Sequence, residues 1–143
     1  MKRHPDLLQL SREHYGALKL ARDARRAAAS GDASEVAALA QRVVQTFAAE
    51  LDPHFRIEEQ GILVLLAQAG EHELAGRTLA DHAELRRLAK RLTTPDAETL
   101  LSFAELLGAH VRFEEREVFE AAHASLDRDT AYRFDCNLLE RSP

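Results

Sequence analysis

The sequence predicts an all-α protein, folded as an antiparallel up-down-up-down four-helix bundle with a short additional C-terminal helix. The composition is rich in Ala, Leu, Glu and Arg, and the 143 residues include only 6 Gly and 4 Pro, which favours helices. Apolar residues recur at three- and four-residue steps in four long segments, and no segment alternates as a strand would. Short polar turns separate the segments, so we expect neighbouring helices to run antiparallel.

Two helices are predicted in the N-terminal half. The first covers about residues 5–30, and the second covers about residues 35–69 after an N-cap at Ser34. Pro53 lies inside the second segment, so we expect a kink there or a restart of the helix capped by Asp52. The predicted inward positions are Leu7, Leu10, His14, Leu18 and Ala21 in the first helix and Phe47, Leu51, His54, Glu58, Ile62 and Leu65 in the second.

Two further long helices are predicted in the C-terminal half. The third covers about residues 71–92, and the fourth covers about residues 95–124, with Thr94 as its cap and Pro95 at its first position. A last helix over about residues 128–140 should pack outside the bundle. The predicted inward positions are Ala75, Leu79, His82, Leu85, Ala89 and Leu92 in the third helix and Leu100, Phe103, Leu107, His110, Glu114, Val118 and Ala121 in the fourth.

Length, charge and cysteine content limit the classes of function. The length suits a single domain over residues 1–143, with the bundle over about residues 5–124. The net charge of −5, with both signs interspersed, disfavours nucleic acid and anionic membranes as partners. One cysteine, Cys136, excludes an internal disulfide, and we identify neither a signal peptide nor an apolar run of membrane-spanning length. We therefore expect a cytoplasmic protein that is a monomer or a loose homodimer.

One short motif occurs in each half of the chain. Residues 54–59 and residues 110–115 both read H-x-R-[I/F]-E-E. Residues four apart on a helix lie about 40° apart on the same face. In each copy the histidine and the first glutamate should therefore point into one space, while the arginine should point outward.

Each of the four long helices has one histidine in its apolar stripe, and a metal site explains this pattern best. A single such histidine is more often a satisfied core residue, and a metal-free polar core is the alternative interpretation. The stripes also hold Glu58 and Glu114 but no central Lys or Arg, and a buried unpaired carboxylate costs on the order of several kcal/mol. Imidazole and carboxylate donors suit iron, manganese or zinc. Two carboxylates able to bridge, flanked by four histidines, favour two metals over one. The candidate ligands are His14, His54, Glu58, His82, His110 and Glu114.

These residues resemble the motifs of the hemerythrin-like, or HHE cation-binding, domain family. The resemblance covers about residues 5–124 and has the family's order. It consists of His14, then His54-x-x-x-Glu58, then His82, then His110-x-x-x-Glu114. It implies a four-helix bundle with two non-haem iron ions, bridged by two carboxylates and an oxo or hydroxo group. It also implies reversible binding of O2, or sensing of oxygen, nitric oxide, redox state or iron.

The chain departs from the oxygen-carrying members at two places. Carriers have a pair of histidines one turn apart on the third helix, whereas the positions four before and four after His82 are Thr78 and Arg86. Carriers also have an aspartate five residues after the last histidine, where this chain has Glu115. We assign Glu114 as the bridging residue and Glu115 as the alternative. Both departures resemble the broader family more than the carriers.

Several neighbouring residues are predicted to lie outside the ligand set. Glu59 should lie beside the site or at its rim, and Tyr15 should contribute to packing, with a place near the cavity as the alternative. No contact is predicted for Asp81. The histidines expected on the surface are His4, His72 and His123. The apolar residues expected to keep the site dry are Phe47, Ile57, Phe103 and Phe113.

Three hypotheses about function follow from the resemblance and the residues. The first is a binding or sensing module, in which the metals take O2, nitric oxide or peroxide at a free coordination position. The second is a small di-iron enzyme with a catalase-like activity or one that detoxifies nitric oxide or peroxide. The third is a structural bundle that retains a polar core. We prefer the first to the second because the sequence identifies no proton donor beside the metals.

Overall fold

The computed structural model describes residues 5–128, and this part of the chain is helical without any strand, as predicted. The predicted terminal helix over about residues 128–140 lies outside the described residues, as do His4 and Cys136. Within the described part, no helix combines the length and the apolar composition that crossing a membrane requires. The helical elements are α1 (Pro5–Ala29), α2 (Ala33–Thr46), a first π-helical turn (Phe47–Leu51), α3 (Asp52–Gln60), α4 (Ile62–Gln68), α5 (His72–Arg91), α6 (Ala97–Phe113), a second π-helical turn (Glu114–Val118) and α7 (Phe119–Arg128).

These elements form four long helical rods that pack as the predicted antiparallel bundle. The rods are α1, the run from α2 to α4, α5, and the run from α6 to α7. Helix α1 packs against α6 and α2, and α5 packs against α6 and α4. Each rod therefore has two neighbours around a common interior, which allows side chains from all four to meet there.

Two separate hydrophobic clusters fill this interior. The first contains Leu20, Phe47, Leu85, Phe103 and Leu107 among others. The second contains Leu7, Ile62, Leu66, Phe113 and Phe119 among others. Along each rod the predicted polar positions fall near the point where one cluster ends and the other begins. The bundle thus has a buried polar layer with apolar packing above and below it.

Two of the predicted helix caps were wrong by two residues. Asp32, and not Ser34, caps α2, because its carboxylate accepts a hydrogen bond from the backbone N–H of Ser34 at 2.8 Å. Asp96, and not Thr94, caps α6 in the same way, so Pro95 precedes the cap and is not the first helical residue. Both aspartates have extended backbone angles, and a carboxylate accepts N–H groups more strongly than a hydroxyl does.

Pro53 lies in the first turn of α3, directly after a π-helical turn, and no side chain caps this helix. The π-helical turn Phe47–Leu51 precedes it, and the N–H of Asp52 bonds to the carbonyl oxygen of Phe47, five residues back. This wider turn carries the helix into α3 past a residue that has no N–H to donate. The expected cap at Asp52 was wrong, since no side chain caps α3. Farther on, Gly70 follows the end of α4 with a φ of 85°, which glycine adopts most easily.

Three of the predicted inward positions lie elsewhere. Leu18 is 37% exposed and Leu79 is 48% exposed, whereas Thr78 is fully buried. The hydroxyl of Thr78 donates to the carbonyl oxygen of Leu74 at 2.8 Å, so the threonine can be buried without an unsatisfied polar group. Ala121 is only half-buried while Ala122 is buried, because the second π-helical turn adds a residue and rotates the face of α7.

Candidate metal centre

The six predicted ligands meet in the buried polar layer between the two hydrophobic clusters. We call them the inner residues. None is more than 5% exposed, and Glu58, His82, His110 and Glu114 are each at most 1% exposed. Such complete burial of two carboxylates requires compensating positive charge or protonation.

The inner residues form two overlapping groups, each able to hold one metal ion. The first group is His14, His54, Glu58 and Glu114, and the second is Glu58, His82, His110 and Glu114. Within each group, one donor atom from every residue lies within 4.8 Å of the others. The two glutamates belong to both groups, and each pair of histidines belongs to one.

Each inner carboxylate spans the two groups. One oxygen of Glu58 lies 3.1 Å from Nε2 of His54, and its other oxygen lies 3.1 Å from Nε2 of His82. Oε1 of Glu114 lies 2.9 Å from Nε2 of His14, and Oε2 lies 3.4 Å from Nε2 of His110. Each glutamate thus has one oxygen directed to each histidine pair, which is the arrangement of a bridging ligand.

Four buried atoms in this layer make no hydrogen bond with the described residues, although they face one another in pairs 3.1 and 3.4 Å apart. They are Oε1 of Glu58, Nε2 of His82, Nε2 of His110 and Oε2 of Glu114. Buried polar atoms without a partner are rare in folded proteins, and a bound ion can supply the missing interaction. All four belong to the second group, so the residues present fit a metal ion between them.

Four carboxylates surround the inner residues, and each contacts the outward nitrogen of one inner histidine. We call them the outer carboxylates. The contacts to Nδ1 are Glu13 with His54 at 2.7 Å, Glu59 with His82 at 2.7 Å, Asp81 with His110 at 3.0 Å and Glu115 with His14 at 2.6 Å. An ionised carboxylate can only accept, so Nδ1 donates in each contact. A neutral imidazole held in this way directs the lone pair of Nε2 into the interior, as a metal ligand must.

The outer carboxylates form a closed ring around the bundle. The carboxylate on α1 contacts the histidine on α3, and the carboxylate on α3 contacts the histidine on α5. The carboxylate on α5 contacts the histidine on α6, and the carboxylate in the second π-helical turn contacts the histidine on α1. Every outer carboxylate is also the sequence neighbour of an inner residue. Adjacent residues lie about 100° apart around a helix, so when one points into the bundle its neighbour faces the next rod.

The pKa values of His14, His54 and His110 rise because the nearby carboxylates outweigh the effect of burial. Burial alone would lower the pKa of His110, but the charge of Glu114 and the hydrogen bond with Asp81 raise it to about 10. The pKa of His54 lies well above its usual value for the same reason, against burial, through Glu58 and Glu13. The pKa of Glu114 is lowered, since His110 and His14 overcome the effect of burial. Without metal, protonated histidines therefore provide the positive charge that the glutamates need.

An arginine joins the ring at one position. Arg86 donates to both oxygens of Glu59, at 2.9 and 3.2 Å, and to Asp52 at 2.7 Å. Asp52 in turn lies 3.3 Å from Arg56. This chain of charges runs from His82 through Glu59 and Arg86 to the surface, where the Arg56 side chain is 53% exposed.

Two phenylalanines flank the histidines, and neither was singled out from the sequence. The ring of Phe55 stacks on His82, with centroids 3.9 Å apart and planes 9° apart. Phe119 stacks on His14 at 5.2 Å. The predicted phenylalanines at 47, 103 and 113 are buried, but Ile57 is only half-buried. A ring face on an imidazole excludes water and fixes its orientation.

A cavity of about 590 Å³ opens between α1 and the second rod and reaches one side of the polar layer. Its inner wall includes His14, His54, His110 and Glu114, and its outer lining includes Gly16 and the side chains of Lys19 and Arg42. Glu58 and His82 do not line it, and Phe55 lies between the cavity and His82. A small molecule could therefore approach the layer from the side of His14 and His54.

The remaining predictions about neighbouring residues had mixed outcomes. Glu59 lies beside the site, as predicted, and Glu115 lies at the outward face of His14 while Glu114 occupies the interior. Tyr15 is 80% exposed, so the predicted packing role was wrong. His72 is exposed and His123 is half-buried. The sequence interpretation missed Glu13 and Asp81 as histidine partners, although an acidic residue next to an inner residue in all four rods was a visible signal.

Comparison with protein families supports this architecture. Neither the comparison with curated proteins nor the one with solved structures found a significant match. The family model described as the hemerythrin HHE cation-binding domain matches residues 7–122, which include all six inner residues and all four outer carboxylates. The buried His and Glu groups are what a cation-binding bundle needs, and the chain belongs to the hemerythrin HHE cation-binding domain family.

Proposed function

We propose that this protein binds two iron ions and uses them to bind or sense a small ligand such as O2, nitric oxide or peroxide. His14 and His54 would hold one ion, His82 and His110 would hold the other, and Glu58 and Glu114 would bridge them. The observation that carries this proposal is that four buried atoms able to bind a metal make no hydrogen bond within the described part of the chain. They belong to Glu58, His82, His110 and Glu114. A cation between them would satisfy all four.

The charge of the site also supports two cations. Two inner and four outer carboxylates surround four imidazoles, and Arg86 offsets part of this negative charge at Glu59. Two divalent or trivalent ions would supply a comparable positive charge at the centre of the layer. The mixture of imidazole and carboxylate donors suits iron, manganese or zinc. The family model names a cation-binding domain, and we propose iron because the resemblance to the hemerythrin-like family implies it.

The protein leaves room for an external ligand beside the inner residues. Each group offers four residues, so an octahedral ion would keep about two further positions. The bound metals would supply redox-active Lewis acid centres for the ligand. The chain's own residues would orient the ions through Nε2, exclude bulk water through Phe55 and Phe119, and admit the ligand through the cavity beside His14.

We also propose that the described helices form one domain. Residues of all four rods contribute to the polar layer, and the outer carboxylates link each rod to the next. Separating any rod would break at least two of these links.

The direct experiment is to count metals in the purified protein and to record its visible spectrum after adding oxygen, nitric oxide or peroxide. About two iron ions per chain and a reversible spectral change would support a binding or sensing role. Many turnovers of peroxide or nitric oxide would instead indicate the enzyme of the second hypothesis. A protein that retains no transition metal when iron(II) is supplied would refute the proposal and leave a structural bundle.

A further inference from the structure

The outer carboxylates differ in their second partners, and Glu59 shares its oxygens with an arginine. This carboxylate accepts from Nδ1 of His82 at 2.7 Å and is shared with the guanidinium of Arg86 through two hydrogen bonds. Asp81, which serves His110 in the same group, has no second partner among the described residues beyond that histidine. The two histidines of one metal group are therefore held by carboxylates in different electrostatic environments.

A carboxylate that accepts from Nδ1 increases the electron donation of the imidazole through Nε2. A cation bound to the same carboxylate withdraws part of its charge, so the imidazole becomes a weaker donor. The positive charge of Arg86 also lies two hydrogen bonds away from Nδ1 of His82, and this charge favours the reduced, less positive state of a metal bound at Nε2. Both effects act in the same direction.

We propose that Arg86 is a positioning residue that, through Glu59, raises the reduction potential of the metal held by His82 and His110. This inference rests on the proposed function, because it requires metals in the polar layer. Its consequence is that a side chain outside both sequence motifs influences the potential of one metal. The metal at His82 and His110 accepts an electron more readily than it would without Arg86.

The geometry makes Arg86 suited to this role. The hydrogen bonds of its guanidinium go to Glu59 and Asp52 and to none of the inner residues. The Arg86 side chain is 34% exposed, so it reaches the surface. At its other end it donates to Glu59, which itself contacts His82. A change in that charge can therefore alter the site without removing a ligand.

The variant that tests the inference is Arg86→Gln, with Arg86→Lys as the conservative variant. Arg87→Gln is the matched control, because Arg87 is the next residue on α5 and forms an exposed pair with Glu84. Each protein is loaded with iron, its metal content is counted, and it is titrated with a reductant while the visible and electron paramagnetic resonance spectra are recorded.

We expect all the proteins to contain two iron ions per chain, as proposed for the wild type. In Arg86→Gln, one of the two reduction steps should shift to a lower potential. The shift should correspond to a change on the order of tenfold in the relative affinity for oxidised and reduced metal, which is about 59 mV for a one-electron step. Arg86→Lys should lie near the wild type, and Arg87→Gln should not differ from it.

Two outcomes would overturn the inference. One is an Arg86→Gln protein with wild-type potentials and only a lower thermal stability, since Arg86 would then serve only to tie α5 to α3 through Asp52. The other is an equal shift in Arg87→Gln, which would indicate a general effect of surface charge. A wild-type protein that holds no iron would instead refute the proposed function, so the two failures are distinguishable.

Discussion

The two copies of the H-x-R-[I/F]-E-E motif occupy equivalent places in the layer but have different surroundings. In both, the histidine lies near the glutamate four residues later, and the glutamate after that contacts a histidine on another rod. In the first copy, Glu59 is shared with Arg86, whereas in the second copy Glu115 also accepts from the hydroxyl of Ser11 at 2.8 Å. The first copy follows a π-helical turn, and the second copy runs into one.

This difference shows which properties of the site come from the motif and which come from its neighbours. The motif places a bridging candidate and an outer carboxylate on each rod, because residues four and five apart have fixed directions on a helix. The charge on the outer carboxylate depends on residues far away in the chain, such as Arg86 and Ser11. Two equal motifs can therefore produce two unequal metal positions.

The largest expected effect comes from removing what the two copies share. In the Glu58→Gln, Glu114→Gln double variant, metal content should fall from about two ions per chain to nearly none, because each metal group loses both carboxylates. The two single variants, Glu58→Gln and Glu114→Gln, should lose metal to the same extent as each other, since each glutamate belongs to both groups. Metal analysis after dialysis measures this.

The control for this prediction is His72→Ala, which removes an exposed histidine at the start of α5. It should leave metal content unchanged. A double variant that keeps the wild-type stoichiometry would contradict the assignment of Glu58 and Glu114 as bridging residues.

A smaller effect is expected from the outer carboxylate of each copy. Glu59→Gln and Glu115→Gln should each weaken metal binding by about 10–100-fold, because Nδ1 of the partner histidine loses an ionised acceptor. Competition with a chelator gives the affinities. Glu117→Gln is the matched control in the same π-helical turn as Glu115, and its side chain is exposed. An equal loss in Glu117→Gln would show that only the total negative charge matters.

Access to the site differs between the two metal groups. The cavity is lined by both histidines of the first group, His14 and His54, whereas in the second group it is lined by His110 but separated from His82 by Phe55. Gly16 lines this cavity, and a Cβ at this position would meet no atom within 4 Å. Gly16→Leu should fill the opening and slow ligand binding on the order of tenfold, with metal content unchanged. Stopped-flow mixing with nitric oxide measures the rate.

Gly76→Leu on α5 is the matched control for this substitution. Gly76 is also helical and exposed, a Cβ added there would likewise meet no atom within 4 Å, and the residue does not line the cavity. Equal rates in Gly16→Leu and wild type would mean that the ligand enters by another route.

The last prediction concerns a property that both copies share, the raised pKa of His54 and His110 in the metal-free protein. The pKa of His110 is about 10 in the folded state, against about 6.5 in an unfolded chain. Its stabilising protonation is complete below about pH 6.5 and is lost as the pH rises through about 10. The free energy of unfolding of the metal-free protein should therefore fall between about pH 7 and pH 10.

Urea denaturation in the presence of a chelator measures this dependence, and the iron-loaded protein provides the comparison. With metals bound, the histidine nitrogens are ligands and not proton carriers, so the fall should be absent. A metal-free protein whose stability stays level or increases over this range would show that the inner histidines are not protonated.

The fold and the inner residues could be predicted because their signals are local and repeated. A periodic apolar stripe identifies each rod, and a histidine or glutamate inside such a stripe has few explanations besides a shared polar site. The family could be predicted from the order of the six inner residues along the four rods, and the family model confirms it. These residues are His14, His54, Glu58, His82, His110 and Glu114.

The features that sequence reasoning missed depend on geometry between rods. The π-helical turns rotate the face of the helix, which moved Ala122 into the core in place of Ala121. The hydrogen bonds of Glu13 and Asp81 depend on which rod lies beside α1 and α5, and single-helix periodicity does not specify this. The stacking of Phe55 on His82 and the hydrogen bonds of Arg86 with Glu59 likewise depend on which rods are neighbours, because both contacts join α3 to α5.

The most direct test of the central claim is a crystal structure of the iron-loaded protein with anomalous scattering recorded at the iron edge. We expect two peaks, one between His14 and His54 and one between His82 and His110, with the carboxylates of Glu58 and Glu114 between them. Ordered density for the six side chains without an anomalous peak in the layer, after iron had been supplied, would contradict the account.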